Sequence, residues 1–454
     1  MVKKKYSVKQ RFLAVSFTRV IAAGYFILLL IGTFLLMLPV ASKTGTWTSF
    51  FAALTTATSS SCVTGLIVFD TFSHWSLFGQ IVLLCLIQVG GLGYMTLITV
   101  FSMLIGRKIG IRERGLLKES TNSLYIGGLV NLIKTAVIGT VIFEFIGAII
   151  LTWRFSYIFS LGKALYYGVF HSVSAFCNAG FDLFGVFEPY SSLTHFKNDP
   201  IVLLTISMLI IIGGIGFIVW QDIAENKFNF RKYKLHSKIA ILTSVILLFF
   251  GFVLMFALEY NNTLSDLSVF DKIINAFFLS ASSRTAGFNS VSISDMTPAS
   301  YLIHIFLMLI GGSSGSTAGG LKTTTIAVVC LTALSGIKNC DNVSVFGRRL
   351  GNDIIKKAIT VVVIYVSIVF VSSIIISFSN PFLTLREILF EVSSAVGTVG
   401  LSCGVMEKID LSGQIILTLL MYCGRVGSMS FAMIFTQSKN SSDVMYPEEK
   451  IIIG

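Results

Sequence analysis

Four short segments, each carrying a glycine at its end or next to it, share a pattern: Cys62-Val63-Thr64-Gly65-Leu66, Cys177-Asn178-Ala179-Gly180-Phe181, Arg284-Thr285-Ala286-Gly287-Phe288 and Thr398-Val399-Gly400-Leu401. The glycines are 115, 107 and 113 residues apart (65 to 180, 180 to 287, 287 to 400), so the repeating unit is a whole membrane hairpin rather than a small solenoid module. The chemistry that four such turns can perform is coordination. Glycine adopts positive φ without a Cβ clash, which lets successive carbonyls face one way. Four quasi-equivalent turns around one axis make rings of oxygen that replace the hydration shell of a cation.

Each turn needs an element that delivers it to the axis. Residues 47 to 66, 161 to 181, 267 to 288 and 383 to 401 are too short and polar to cross a bilayer, yet apolar enough to enter it. The apolar spacing of Asp271 to Leu279 is helical. A run of small and hydroxyl residues then leads to every glycine: Thr58-Ser59-Ser60-Ser61, Ser172-Val173-Ser174-Ala175, Ser280-Ala281-Ser282-Ser283 and Ser393-Ser394-Ala395. Four half-helices are predicted to stop there. Irregular backbone at membrane depth is tolerated beside a wet cavity or inside protein, so the four loops imply a shared axis. The carboxyl ends of the half-helices, each with roughly half a negative charge, favour a monovalent cation and exclude anions.

Composition supplies the walls. The chain has 454 residues, 54% hydrophobic and 12% charged, with a mean hydropathy of +0.84, well below the roughly one-quarter charged of soluble domains. Apolar runs of about 20 residues or more fall near 20 to 40, 76 to 105, 130 to 152, 200 to 220, 236 to 258, 301 to 334, 354 to 378 and 411 to 436, giving eight spans. The first span reads as a retained helix, because no small-residue cleavage site follows it. A second glycine cluster recurs in the latter span of each unit: Gly90-Gly91-Leu92-Gly93, Gly213-Gly214-Ile215-Gly216, Gly311-Gly312 and Gly424-Arg425-Val426-Gly427. A lone glycine of this kind commonly serves helix packing; four in matching positions argue for a repeat.

The net charge of +12 does not point to nucleic acid, because the basic residues lie on one side. Lys3, Lys4, Lys5, Lys9, Arg11 and Arg19 precede the first span, and Arg107, Lys108, Arg112, Arg114 and Lys118 follow the second. Lys227, Arg231, Lys232, Lys234 and Lys238 follow the fourth, and Lys338, Arg348, Arg349, Lys356 and Lys357 the sixth. The positive-inside rule predicts cytoplasmic termini. Asp70, Asp182, Glu188, Asp199, Asp266, Asp295 and Asp410 occupy the opposite loops and predict an acidic outer vestibule. Seven cysteines lack metal spacing, with Cys85, Cys330 and Cys423 inside spans as small hydrophobes, and no disulfide is expected. His74, His171, His195, His236 and His304 are scattered and show no paired metal-ligand spacing.

The third unit departs from its siblings. Gly311-Gly312-Ser313-Ser314-Gly315-Ser316-Thr317-Ala318-Gly319-Gly320-Leu321-Lys322 places five glycines in ten residues, at roughly 1 kcal/mol each against Ala in a helix. Span six is therefore predicted to be two half-helices joined by a loop at mid-membrane, beside a cavity. A phosphate-cradling loop is excluded by the preceding membrane run and the absent P-loop spacing. Arg425 lies well inside a span and is a functional candidate; it is expected to donate to carbonyls of that loop and to add a positive barrier. Lys322 reads either as an inner-mouth charge or as a helix-end snorkel. Glu144 reads as a pore-wall group or, preferably, as one paired to a polar neighbour.

At these residues the chain resembles the Trk/Ktr/HKT superfamily of potassium transporters, most closely its KtrB branch. The segments that carry the resemblance are Leu54 to Leu66 with Gln88 to Gly93, Phe170 to Phe181, Ser283 to Phe288, Gly311 to Lys322, and Glu391 to Leu401. The resemblance implies an all-α polytopic fold of four pseudo-symmetric helix, pore helix, filter and helix repeats: eight transmembrane helices and four re-entrant ones around a central pore. The repeats divide at 1–118, 119–235, 236–352 and 353–454. It further implies a potassium filter at Val63, Thr64, Gly65, Asn178, Ala179, Gly180, Thr285, Ala286, Gly287, Thr398, Val399 and Gly400, and a gate of residues 311 to 320 with Lys322 and Arg425. By resemblance the protein is a homodimer in a bacterial plasma membrane, seated on a cytosolic RCK-type, KtrA-like ring that binds ATP or ADP, with sodium as a possible activator. Gly65 stands where some sodium-preferring relatives have serine. Cys62 and Cys177 in the filter segments depart from the pattern, and only the first and last repeats resemble a Thr-Val-Gly filter.

No Rossmann fingerprint occurs, so nucleotide control falls to the partner. An alternating-access symporter would place successive units in opposite orientation, whereas here every unit begins and ends on the basic side. An intramembrane enzyme would need a nucleophile with its base, or a metal cluster, within the spans, and neither pattern is evident. A sodium or mixed sodium and potassium transporter of the same fold is the remaining alternative.

Overall fold

A computed structural model of the chain describes residues 17–105, 110–120, 128–227, 229–340 and 342–427. Lys3, Lys4, Lys5, Lys9, Arg11, Arg107, Lys108 and the stretch 428–454 lie outside the described residues. The described chain is built from helices α1 (Phe17–Met37), α2 (Phe50–Ser61), α3 (Leu77–Leu92), α4 (Tyr94–Leu104), α5 (Ile111–Ser120), α6 (Leu129–Phe155), α7 (Leu161–Phe176) and α8 (Pro200–Gly214). They continue as α9 (Phe217–Asn226), α10 (Leu235–Glu259), α11 (Val269–Ser282), α12 (Pro298–Leu309), α13 (Thr323–Ile337), α14 (Asn352–Ser379), α15 (Leu385–Gly397) and α16 (Leu411–Val426). A hairpin of β1 (Ser344–Val345) and β2 (Arg348–Arg349) precedes α14, pairing Ser344 with Arg349 and Val345 with Arg348.

The first helix of every repeat is continuous and long enough to cross a membrane: 21, 27, 25 and 28 residues in α1, α6, α10 and α14. Their outward faces are apolar at helical spacing, for example Ile138, Val141, Phe145 and Ile149 on α6, all exposed. Such a stripe has no partner among the described residues and suits lipid. Each is followed by a half-helix (α2, α7, α11, α15) whose last turn is almost wholly buried. The chain is thus a multi-pass membrane protein with four re-entrant segments.

The second helices depart from the sequence expectation, which breaks only the third. Spans 76 to 105 and 200 to 220, read as continuous, are bent: α3 meets α4 at 88°, and α8 meets α9 at 90°. The reason lies in the recurrent glycine cluster. Gly93 and Gly216 stand at the two elbows with φ of +81° and +102°, a conformation that a residue with a Cβ resists. Gly427, the matching residue of repeat four, has φ +93° and ends α16; span eight was expected to run to 436, beyond the described residues. In repeat three the interruption widens into the loop between α12 and α13.

Candidate functional site: a ring of filter carbonyls above an intramembrane loop

The hydroxyl run at the end of each half-helix has a local purpose. The Ser59, Ser174 and Ser394 carbonyls accept from the N–H of Thr64, Ala179 and Val399 at 2.7, 2.8 and 2.8 Å. The Ser59 and Ser394 hydroxyls accept from the N–H of Gly65 and Gly400, both at 3.0 Å. In repeats two and three the hydroxyls reach one residue further, Ser174 donating to the Phe181 carbonyl at 2.7 Å and Ser282 to that of Phe288. Each turn is thereby pinned to the helix that delivers it.

Backbone conformation repeats fourfold. Gly65, Gly180, Gly287 and Gly400 have φ of +95°, +70°, +80° and +91°, and the residues two positions earlier, Val63, Asn178, Thr285 and Thr398, are also left-handed at +57°, +60°, +82° and +50°. Left-handed backbone in non-glycine residues is uncommon and is held by its surroundings, where it marks functional sites. Asn178 is the residue type that tolerates it best, and its amide meets the Thr285 hydroxyl at 3.2 Å, joining repeat two to repeat three.

The four turns close on one another in chain order. A Cβ built on Gly65 would lie 2.6 Å from the Ala179 carbonyl oxygen, and one on Gly180 2.7 Å from that of Ala286. In the same way Gly287 faces the Val399 carbonyl and Gly400 faces that of Thr64. The carbonyls of Thr64, Ala179, Ala286 and Val399 therefore stand in one ring, with room for glycine alone between neighbours. Carbonyl oxygens gathered this closely are the kind of group that replaces the hydration shell of a cation.

The second glycine clusters hold this ring from behind. A Cβ on Gly90, Gly213 or Gly424 would strike the Ser61, Phe176 or Val396 carbonyl, each the fourth residue before its filter glycine. Gly311 meets the Thr285 methyl instead, at 3.1 Å, and the Gly319 carbonyl of the loop.

The loop between α12 and α13 lies against this base. It is bound most heavily to the elbow of repeat two: Ser313 N–H donates to the Gly214 carbonyl at 3.0 Å, Phe217 N–H to that of Gly315 at 2.7 Å, and Thr317 Oγ1 to that of Phe176 at 3.3 Å. Within repeat three, the Ser313 and Thr323 hydroxyls pair at 3.0 Å and those of Ser314 and Thr324 at 3.3 Å. Ser316 Oγ donates to the Ser313 carbonyl at 2.7 Å and accepts from Ala318 N–H at 3.3 Å. Lys322 donates to the Ala318 and Gly319 carbonyls at 2.8 and 3.3 Å, which makes it a clamp across the loop's own turn. Gly315 and Gly320 carry φ of +70° and +67°, and Gly312 packs on the Ala318 side chain.

Arg425 joins three repeats. From repeat four it donates to the Thr317 carbonyl of the loop and to the Gly90 carbonyl of repeat one, with a further bond to Gly91 at 3.2 Å. Glu144 accepts from Gln88 Nε2 at 3.3 Å and lies 3.8 Å from the Cys177 thiol, so it pairs with polar neighbours behind the filter of repeat two. Cys62 and Cys177 are themselves fully buried behind their turns.

On the opposite face the ring opens into a cavity of about 800 Å³ lined by all four filter glycines and by Asp182, Glu188, Asp266, Asp295 and Glu407, with His195 and Lys197. Of the seven carboxylates that the sequence places here, four line it. Asp70, Asp199 and Asp410 do not; they cap helix starts through Ser73, Ile201 and Val202, and Gly413, and Asp199 also pairs with Arg154 at 2.5 Å. Glu407 was not anticipated. Burial pushes the Asp182 carboxyl up to about 7, against the Phe184 N–H bond that favours its charged form, and nearby Asp70 adds to the rise.

Sequence reasoning also missed the residues that fix the outgoing strands. His171 accepts from Leu183 N–H at 3.2 Å, and Glu391 from Cys403 N–H at 2.9 Å and Ser402 Oγ at 2.6 Å. Both stand nine residues before their filter glycine and reach the third residue after it, an offset that reads directly off the aligned repeats.

The chain matches the TrkH family, described as "Cation transport protein", over residues 5–444. It is 38% identical to the potassium/sodium uptake protein NtpJ of Enterococcus hirae, covering 96% of this chain and 97% of that one. It is 37% identical to the Ktr system potassium uptake protein B of Bacillus subtilis, covering 96% of each chain. The Ktr system potassium uptake protein D of the same organism is 34% identical, over 97% of this chain and 98% of that one. The crystal structure of the potassium transporter TrkH from Vibrio parahaemolyticus shares the fold, with a TM-score of 0.73 at 17% identity over 96% of this chain and 87% of that one. The chain therefore belongs to the TrkH family of cation transport proteins, a family of transporters and not of enzymes.

Proposed function

We propose that the chain is the membrane subunit of a potassium uptake system, with the carbonyl ring of Thr64, Ala179, Ala286 and Val399 as its selectivity filter. The observation that carries this reading is the ring itself, closed in chain order by Gly65, Gly180, Gly287 and Gly400. The names of the relatives support potassium as cargo, and that of the Enterococcus protein keeps sodium as a second permeant ion. Potassium is favoured here because Gly65 leaves the ring free of side chains. The acidic cavity gathers cations ahead of the ring.

In this reading residues 311 to 320, Lys322 and Arg425 form the gate. The loop obstructs the path beneath the filter, and Arg425 holds it there while adding positive charge. The basic loops face the cytoplasm of a bacterial cell, with both termini on that side. "Ktr system" in the relatives' names supports a multi-component assembly, taken here as a homodimer on a cytosolic nucleotide-binding ring. Each protomer keeps its own pore.

The test is uptake in potassium-auxotrophic cells. Gly65→Ser places a side chain 2.6 Å from the Ala179 carbonyl at a φ of +95°. It is expected to lower the potassium-to-sodium uptake ratio by about tenfold, or ~1.4 kcal/mol. An unchanged ratio with normal expression removes the ring from the mechanism.

A further inference from the structure

Helix α9 leaves the Gly216 elbow at 90° to α8 and is fixed at three points. At its start, Phe217 N–H donates to the Gly315 carbonyl of the loop at 2.7 Å, so the loop supplies the cap of a helix in a different repeat. A turn later, Trp220 donates from Nε1 to the Ile212 carbonyl at 3.2 Å and packs on Phe176, the last residue of half-helix α7, with ring centroids 5.7 Å apart. Next comes Asp222, fully buried on the same helix. It accepts from Lys234 N–H at 3.1 Å and from the Ser237 hydroxyl, and its other oxygen faces the Lys234 ammonium at 3.3 Å.

Those last partners lie at the basic start of α10, Lys234 at its N-cap and Ser237 in its first turn. That segment is tied onward to the β1–β2 hairpin, since the Lys238 ammonium lies 5.7 Å from the Phe346 ring and 5.9 Å from that of Phe230. A continuous set of bonds therefore runs from the basic surface through Asp222 and a single ten-residue helix to the Gly315 carbonyl. A buried carboxylate held by one ammonium, one N–H and one hydroxyl is costly to leave unpaired, so α9 and the basic segment move together or separate at a large penalty.

We propose that α9 is the strut through which the basic face of repeat two sets the position of the intramembrane loop, and that Asp222 is its positioning residue. The inference rests on the reading of the loop as the gate. With Asp222 intact, the Phe217 and Ser313 amides hold the loop against the elbow. When the Asp222 contacts are pulled apart, α9 pivots at Gly216 and the bonds to Gly315 and Gly214 loosen.

The test uses the purified full chain in proteoliposomes with no partner added. It reads ⁸⁶Rb⁺ uptake and amide exchange at Ser313 and Phe217. Asp222→Asn keeps the shape and removes the charge; Lys234→Met removes the ammonium and leaves its backbone N–H. Both are made in the intact chain and in a chain lacking residues 313 to 318. Asp222→Asn is expected to raise uptake on the order of tenfold, within the roughly 5- to 150-fold span of couplings between distinct sites, and to speed exchange at both amides. Lys234→Met should move both readouts the same way by less, and neither substitution should add uptake once the loop is deleted. If loop deletion raises uptake while both substitutions leave uptake and exchange at wild-type values, the strut is refuted and the gate reading stands. Equal increases with and without the loop likewise refute it. A deletion that leaves uptake unchanged overturns the gate reading and the strut with it. Should Asp222→Asn fail to elute as a single species, the Lys234→Met pair decides.

Discussion

If the loop is the gate proposed above, removing Arg425 should make the pore leak, and the structure sets the size of the effect. The guanidinium makes three bonds, of which only that to the Thr317 carbonyl reaches the loop; those to Gly90 and Gly91 anchor it to repeat one. A hydrogen bond to a charged group contributes about 1.5–3 kcal/mol, so loss of that one bond multiplies the open-to-closed ratio by roughly 10 to 150. The loop keeps its bonds to Gly214 and from Phe217 and its Lys322 clamp, so Arg425→Ala should weaken closure without unfolding the segment. ⁸⁶Rb⁺ uptake into proteoliposomes without a regulatory partner reads this directly. Arg425→Lys separates two physical roles. An ammonium retains the charge but not the planar fork that reaches Thr317 and Gly90 together. If Arg425 acts as a latch, the lysine variant leaks too, though less than the alanine variant; if it acts only as a positive barrier, the lysine variant resembles wild type. Uptake by Arg425→Ala within twofold of wild type, alongside a leaking loop deletion, refutes the latch.

Two further expectations concern the filter and its mouth. Ser59→Ala and Ser394→Ala each leave a buried filter-glycine N–H without its acceptor, a cost of about 1–3 kcal/mol. Both should lower thermal stability and potassium preference together. Ser393→Ala, whose buried hydroxyl has no hydrogen-bond partner among the described residues, should do neither, as melting curves and flux ratios would show. Because burial raises Asp182 to about 7, this carboxylate is charged above neutrality and loses its charge as external pH falls through 7. A unit charge at close range in water is worth about 1 kcal/mol, so KM for potassium should rise by up to about fivefold between pH 8 and 6, and Asp182→Asn should flatten that dependence.

How much of this was legible beforehand depended on whether a feature repeats. The filter glycines, the half-helices and the straight first helices stand out because the same residue types recur at fixed offsets under one hydropathy pattern. The elbows at Gly93 and Gly216 were present in the sequence as glycine clusters, but apolar residues continue past them, and hydropathy does not register direction. Left-handed backbone at Val63 and Thr285 was hidden because neither residue type favours it; the ring imposes the conformation through contacts with neighbouring repeats. Asp70, Asp199 and Asp410 were misplaced because a capping carboxylate and a vestibule carboxylate occupy the same loops and differ only in which N–H groups lie within reach. Arg425 was visible as a charge inside a span, while its bonds to repeat one depend on tertiary closure.

In the proposed function, four non-identical turns form one cation site. Thallous ion, close to potassium in size and visible by its anomalous scattering, can be located in crystals of the transport-competent protein. A peak is expected on the axis, equidistant from the carbonyls of Thr64, Ala179, Ala286 and Val399, and is expected to be lost in Gly65→Ser. Strong thallous density elsewhere in the chain, with none in that ring, would contradict it.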